Sequence, residues 1–466
     1  MSASYEDERA KYNKCFKATA TGELYGAEEE MRMSPLITSK VRDTIDTLPK
    51  RSAPIFPQAR LLGRTIEART GIEETEEPLL YNGNAPNSTF LCGSQGSGKS
   101  YTLSTILENC LVKDGRYGDL KNPVAGVLFH YDTDMSGTPA EAASLCSRGV
   151  KVRVLVSPSN YCNLSKTYKS LPGGQQNLTV EQMLLDDRHL DIARMKRLMA
   201  FSDAEAGVPL YMEVIEQILR EMAMSQAPFR FSEFERRKDL KERNFDPKQK
   251  NMLNMRLNLL KSFMANAGMG TDSDVFQPAP GTLTIVDLTD PFVDAATVCM
   301  LYDVCLSLFK QRRPKSGLVM ALDEAHRYLN KSPAAATFTD SLISTIRTQR
   351  HNATRVIIAT QEPTISERLL DLCSISIVHH FNSPAWFAAI KDHLGGASSL
   401  TTDEREQRKM FEAIVDLGLG ESLVFSPSSF VCEVDGVVKK LGAGYVKMQT
   451  RLREGLDAGK SEMAIS

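Results

Sequence analysis

A chain of 466 residues, 42% hydrophobic and 24% charged, has an ordinary globular composition, with room for two or three domain-sized units or one domain carrying a large insertion. Its net charge of -2 provides no global basic field for nucleic acid, so any such contact has to come from a local patch. No run approaches the ~18 uncharged apolar residues of a membrane span, and none of the nine cysteines forms C-x-x-C. The polar, acidic residues 1–8 do not read as a secretory signal. The expectation is a soluble intracellular protein of a reducing compartment, cytoplasm or nucleus, with no membrane partner.

Residues 1–84 mix Glu28-Glu29-Glu30, four prolines from Pro35 to Pro57 and an acidic run over 73–77. They read as a weakly structured leader with at most one helix, and too few alternating strands for an N-terminal β-barrel. From residue 85 strand and helix patterns alternate. Ser88-Thr89-Phe90-Leu91-Cys92 is a short buried strand, followed by Leu103, Ile106, Leu107, Cys110 and Leu111 on one helical face. Residues 125–131 form a second strand, ending toward Asp132 and Asp134, and residues 151–156 a third. This alternation predicts an α/β, doubly wound, mostly parallel sheet.

Between 173 and 279 the spacing turns helical, in Leu184 to Leu198 and again in Met212 to Met222. This is expected to be a helical insertion. Residues 230–261 hold ten basic side chains against five acids, a local excess of +5. That face could meet the phosphate backbone of DNA; an ordinary solvated helix surface is the alternative. Strands resume over 282–288, 317–322, 355–359 and 376–380, with helices over 296–310 and 339–350. Ser422–Ser426 and Gly444–Met448 add two more apolar runs. The expected division is a leader over 1–84, a core over 85–172 and 280–455, the insertion over 173–279, and a flexible tail over 456–466.

Between the first strand and its helix stands Gly93-Ser94-Gln95-Gly96-Ser97-Gly98-Lys99-Ser100, which fits the phosphate-binding loop G-x-x-x-x-G-K-[ST] in the context that confirms it. Glycines let backbone close round a triphosphate, and the loop amides and helix N-terminus then face the anion. Lys99 is expected on the β- and γ-phosphates of ATP and Ser100 on Mg²⁺, with Gly93 to Tyr101 lining the nucleotide. Leu318 to Leu322 is an apolar strand ending in Asp323-Glu324. It would deliver Asp323 to Mg²⁺ and Glu324 to the attacking water. A further strand ends in Thr360-Gln361, where Gln361 could touch the γ-phosphate or its water. Asp323-Glu324-Ala325-His326 also suggests a two-motor helicase, but only 140 residues follow His326, too few for a second motor.

Taken together, Gly93 to Ser100, the run 323–326 and Ala359-Thr360-Gln361-Glu362-Pro363 resemble the HerA–FtsK superfamily of P-loop ATPases, closest to its HerA-like branch, over about 85–455. The resemblance implies a RecA-like core with an additional strand, a hexameric ring hydrolysing ATP, and movement of DNA through it. It also implies an arginine supplied by a neighbouring subunit, best matched by Arg350, with Arg347, Arg451 and Arg453 in reserve. Two features depart from the pattern. Glu362 stands where the family often has Arg, and the family's N-terminal barrel has no recognisable counterpart. A nucleotide-switched signalling or assembly ATPase without DNA, and a non-hydrolysing nucleotide-binding scaffold, stay open as alternatives.

Overall fold

The computed structural model describes residues 28–47, 54–68, 76–113, 115–133, 137–199, 210–225, 227–241, 247–265, 274–394, 404–434 and 437–453. Expectations for Asp134, for most of the acidic run 73–77 and for the tail 456–466 lie outside them. Fifteen strands among the described residues join one sheet. They are β1 (Leu36–Thr38), β2 (Ala59–Ala68), β3 (Pro78–Asn82), β4 (Ser88–Cys92), β5 (Ala125–His130), β6 (Lys151–Val156), β7 (Leu178–Gln182) and β8 (Thr282–Asp287). The second half of the chain adds β9 (Leu318–Leu322), β10 (Thr354–Thr360), β11 (Ile375–His379), β12 (Glu421–Phe425), β13 (Phe430–Val434), β14 (Val437–Lys440) and β15 (Val446–Thr450).

The order across the sheet is β14-β13-β1-β3-β2-β15-β12-β11-β4-β10-β9-β5-β8-β6-β7. From β11 to β7 every neighbouring pair is parallel. The central strands among them are buried on both faces because helices cover both sides of the sheet, while the edge strand β7 alternates buried and exposed residues. Leu318–Leu322, Thr354–Thr360 and Ser88–Cys92 are buried throughout. One face packs on the helices Ala295–Gln311 and Pro333–Arg347 together with the helices of the 173–279 segment; the other packs on Lys99–Leu111 and Tyr161–Lys169. Strand β10 lies between β4 and β9, with Thr360 level with Cys92 and Ile358 level with Leu322. That places one additional strand between the phosphate loop and the Asp323-Glu324 run.

Two boundaries differ from the sequence reading. Residues 36–82, assigned to a weakly structured leader, supply β1, β2, β3 and the helix Ser39–Asp46. Their partners come from the far end of the chain: Ile37 pairs with Phe430, and Gly63 with Thr450. A local window cannot see a strand whose hydrogen bonds are satisfied some 390 residues away. The segment 173–279 also supplies a strand near its start, after the one-turn helix Gly174–Asn177: β7 pairs in parallel with β6 at the sheet edge. Only afterwards come the helices Ile192–Met199, Leu210–Met224, Phe231–Lys241 and Pro247–Ser262. These helices are not a detached unit. Met195, Ile215, Phe234 and Leu257 join the core that holds Tyr302 and Phe309, and Arg197 meets Asp303 at 2.9 Å.

The helix Lys99–Leu111 departs from its expected amphipathic character. Thr102, Ser104, Thr105, Glu108 and Asn109 on its polar side are buried too. Strands β2 and β15 cover that side and satisfy much of it. Thr102 shares a 3.0 Å hydrogen bond with Thr450, Asn109 Nδ2 donates to Leu61 O at 3.0 Å, and Glu108 pairs with Arg451 at 2.9 Å.

Candidate nucleotide site

Strand β4 ends at Cys92, and the chain turns through Gly93–Gly98 into the helix beginning at Lys99. Gly98, at φ 103°, is the N-cap of that helix, a conformation that costs glycine little. Gly93 is needed for space: a Cβ there would come within 2.7 Å of His379 Cβ and Ser97 Oγ. The end of β11 holds the base of the loop, since Ser94 N and Ser94 Oγ both donate to His380 O, at 2.8 and 2.9 Å. Gln95 and Gly96 stand exposed at its crest.

Lys99 is 5% exposed, and its Nζ donates to Ser94 O at 3.1 Å, folded over the loop. Burial lowers the pKa of the ammonium, while the charges of Glu324, then Asp323, oppose the shift. Both acids are therefore close enough to the Lys99 ammonium to feel its charge.

Asp323 leaves β9 at the C-terminal sheet edge, 5% exposed. Its Oδ1 accepts from Glu324 N at 3.1 Å, and its Oδ2 lies 3.3 Å from His130 Nδ1. Burial disfavours the His130 imidazolium. The hydrogen bond to Asp323 and the nearby charges of Asp287, Asp323 and Asp132 outweigh burial and raise the pKa to about 9. Glu324 adopts φ 47°, ψ 45°, a left-handed conformation costly for a residue with a Cβ. Its Oε1 accepts from Gln361 Nε2 at 2.8 Å. Its Oε2 is buried without a hydrogen-bond partner, 3.5 Å from His326 Nδ1. Burial lowers the His326 pKa, against the pull of Glu324 and Glu362. Strained backbone and unsatisfied buried polar atoms of this kind cluster at functional sites.

Of the residues read from sequence, Gly93 to Tyr101, Asp323, Glu324 and Gln361 therefore gather at one edge of β4, β10 and β9. Arg350 does not. It is exposed on the short helix Gln349–Asn352, ahead of the N-terminal end of β10 and so at the opposite sheet edge; Arg347 is exposed beside it. The reserve arginines are internal. Arg451 pairs with Glu108 and lies 4.2 Å from the Tyr117 ring centroid, while Arg453 pairs with Glu141 and lies 4.2 Å from that of Tyr101. Much of the basic run is paired internally as well: Arg236 and Arg237 with Glu233, Lys241 with Glu221, Lys261 with Glu235.

Three residues about the site had gone unassigned in the sequence. His130 braces Asp323, and His379 and His380 brace the loop. His379 is fully buried, with Nδ1 donating to Glu421 O at 3.0 Å. Burial, with the nearby Lys99 charge, lowers its pKa to about 4 and keeps it neutral. The available signal was that two strands adjoining the motif strands end in histidine.

No sequence-family model matches this chain, and no curated protein matches it by sequence. In three dimensions it is similar to VirB4 of Thermoanaerobacter pseudethanolicus, at 13% identity, over 85% of this chain and 97% of that one, with a TM-score of 0.53. The fold is that of VirB4. The plasmid coupling protein TrwB, solved with ADP and Mg²⁺, is a weaker likeness at 12% identity, 87% and 96% coverage and a TM-score of 0.46. The genome packaging NTPase B204 of Sulfolobus turreted icosahedral virus 2 follows at 11%, 73% and 91%, and 0.31. What this chain shares with VirB4 is the fold, a large, mostly parallel RecA-like sheet flanked by helices, as the sequence pattern predicts.

Proposed function

We propose that this VirB4-fold chain is a Mg²⁺-dependent ATPase that works as a homo-oligomeric ring and couples turnover to moving or processing DNA. The observation that carries the ATPase reading is the Gln361–Glu324 hydrogen bond of 2.8 Å, across the strand edge from Lys99. It joins the ends of β9 and β10 in one cluster beside the loop that β4 presents. The residues suit a nucleotide and its metal: a glycine-lined loop where a Cβ would clash, a buried lysine, a hydroxyl at Ser100 and a buried carboxylate at Asp323. Ser100 and Asp323 would hold Mg²⁺, which supplies neutralisation of phosphate charge when bound.

Lys99 would release Ser94 O and turn its ammonium to the phosphates, and Gly93 to Tyr101 would seat the triphosphate. Glu324, held at Oε1 by Gln361, leaves Oε2 without a hydrogen-bond partner, ready to take a proton from water. Gln361 would release or keep that carboxylate according to what occupies the γ-phosphate position. Arg350, at the far sheet edge, would serve only a neighbouring copy. Phosphate release by purified protein with Mg²⁺ and ATP, with and without DNA, tests the reading, alongside solution mass with and without ATP. No phosphate release from wild type would end it.

The internal ion pairs of the 230–261 helices favour a second reading, an ATPase whose cycle drives assembly or signalling without nucleic acid. Turnover unchanged by DNA, with ATP-dependent change in mass, would select it.

A further inference from the structure

A nucleotide on this loop has a direction. Its terminal phosphate has to face Asp323, Glu324 and Gln361, on the β9–β10 side of β4. The nucleoside then leaves on the other side, over the ends of β11, β12 and β15. There, two large apolar side chains stand in the open, Leu419 at 80% and Leu452 at 82% exposure. They belong to one patch of sheet edge. Leu419 precedes Gly420, whose carbonyl accepts from Thr450 N at 3.0 Å, and Leu452 lies two residues beyond Thr450. The patch adjoins the phosphate loop: Gly420 Cα is 3.4 Å from the place of a Cβ on Gly98, and Thr450 bonds Thr102 on the first turn of the helix.

A single exposed leucine needs no explanation, but two beside a phosphate loop face a ligand with one flat apolar end. Nearby charged side chains are engaged elsewhere: Arg451 by Glu108, Arg453 by Glu141, and Glu421 by Lys447. We propose that Leu419 and Leu452 hold the nucleobase of the bound nucleoside triphosphate by apolar contact, without side-chain hydrogen bonds to its edge. This rests on the nucleotide-binding reading above. An apolar contact discriminates weakly between ligands differing in polar substituents, so ATP and GTP should bind within about tenfold of each other.

The test is calorimetric titration of the full chain with Mg²⁺ and ATP, GTP or inorganic tripolyphosphate, in wild type, Leu419→Ser and Leu452→Ser. Each variant should weaken ATP about five- to tenfold and leave tripolyphosphate within about twofold, since only base contact is lost. Unchanged ATP affinity overturns the proposal, as does equal weakening of tripolyphosphate, which would mean a damaged loop. A wild-type preference for ATP over GTP beyond about a hundredfold overturns it too, because hydrogen bonds would then read the base. Altered solution mass with ATP affinity intact would assign the leucines to a contact between copies of this chain. Wild type that binds neither ATP nor tripolyphosphate refutes the nucleotide reading itself, and the base contact with it.

Discussion

Glu324 allows backbone strain and chemistry to be separated by three substitutions at one position. Its φ of 47° places a Cβ in the left-handed region at a cost of about 1–2 kcal/mol. Glu324→Ala and Glu324→Gly both delete the carboxylate and its bond from Gln361, so their difference isolates the backbone. Glycine relieves the strain and gives back about 0.5–1 kcal/mol in unfolded-state entropy. Glu324→Gly should therefore be the more stable of the two by about 1 kcal/mol, read as a higher urea midpoint at unchanged slope. Glu324→Gln keeps an oxygen for Gln361 Nε2 and places an amide 3.5 Å from His326 Nδ1, an acceptor when neutral. This variant should fold and bind ATP normally while phosphate release falls about 10²- to 10⁴-fold, the usual contribution of a positioned general base. Equal midpoints for Ala and Gly would refute the strained backbone. Normal turnover by Glu324→Gln would refute the assignment of the base.

Three further outcomes follow from the same geometry. Gly93→Ala drives a Cβ to 2.7 Å from His379 Cβ and Ser97 Oγ, and should weaken ATP binding about tenfold or more by titration, with a folding loss of about 1–3 kcal/mol. His379 has a pKa near 4 in the fold against 6.5 unfolded, so the unfolded chain binds more protons between those values. Its contribution is fully present above pH 6.5 and is lost as pH falls toward 4, by about 3 kcal/mol. Urea midpoints across that range should slope accordingly, and His379→Gln should flatten the slope. Glu108→Gln strands Arg451, whose side chain is 5% exposed, and should destabilise the fold by about 3–5 kcal/mol in denaturant titration. A smaller loss from the double variant Glu108→Gln/Arg451→Met, which removes both buried charges, would identify the stranded charge as the cause.

The candidate site residues that gather at one sheet edge and the parallel core were legible in the chain itself, because each rests on contiguous residues. A phosphate loop is eight neighbours between a strand and a helix, and Leu318–Leu322 brings Asp323 and Glu324 to the strand end without any knowledge of its partner strands. Tertiary structure decided everything that depends on who pairs with whom. It turned part of an apparent leader into β1, β2 and β3 by supplying hydrogen bonds from β13 and β15. It buried the polar side of Lys99–Leu111, took Arg451 and Arg453 into internal ion pairs, and set His130 and His379 beneath the site. Backbone groups and charges must be satisfied wherever they are buried, but the residue that satisfies them can come from any distance along the chain, and only the folded sheet says which one it is.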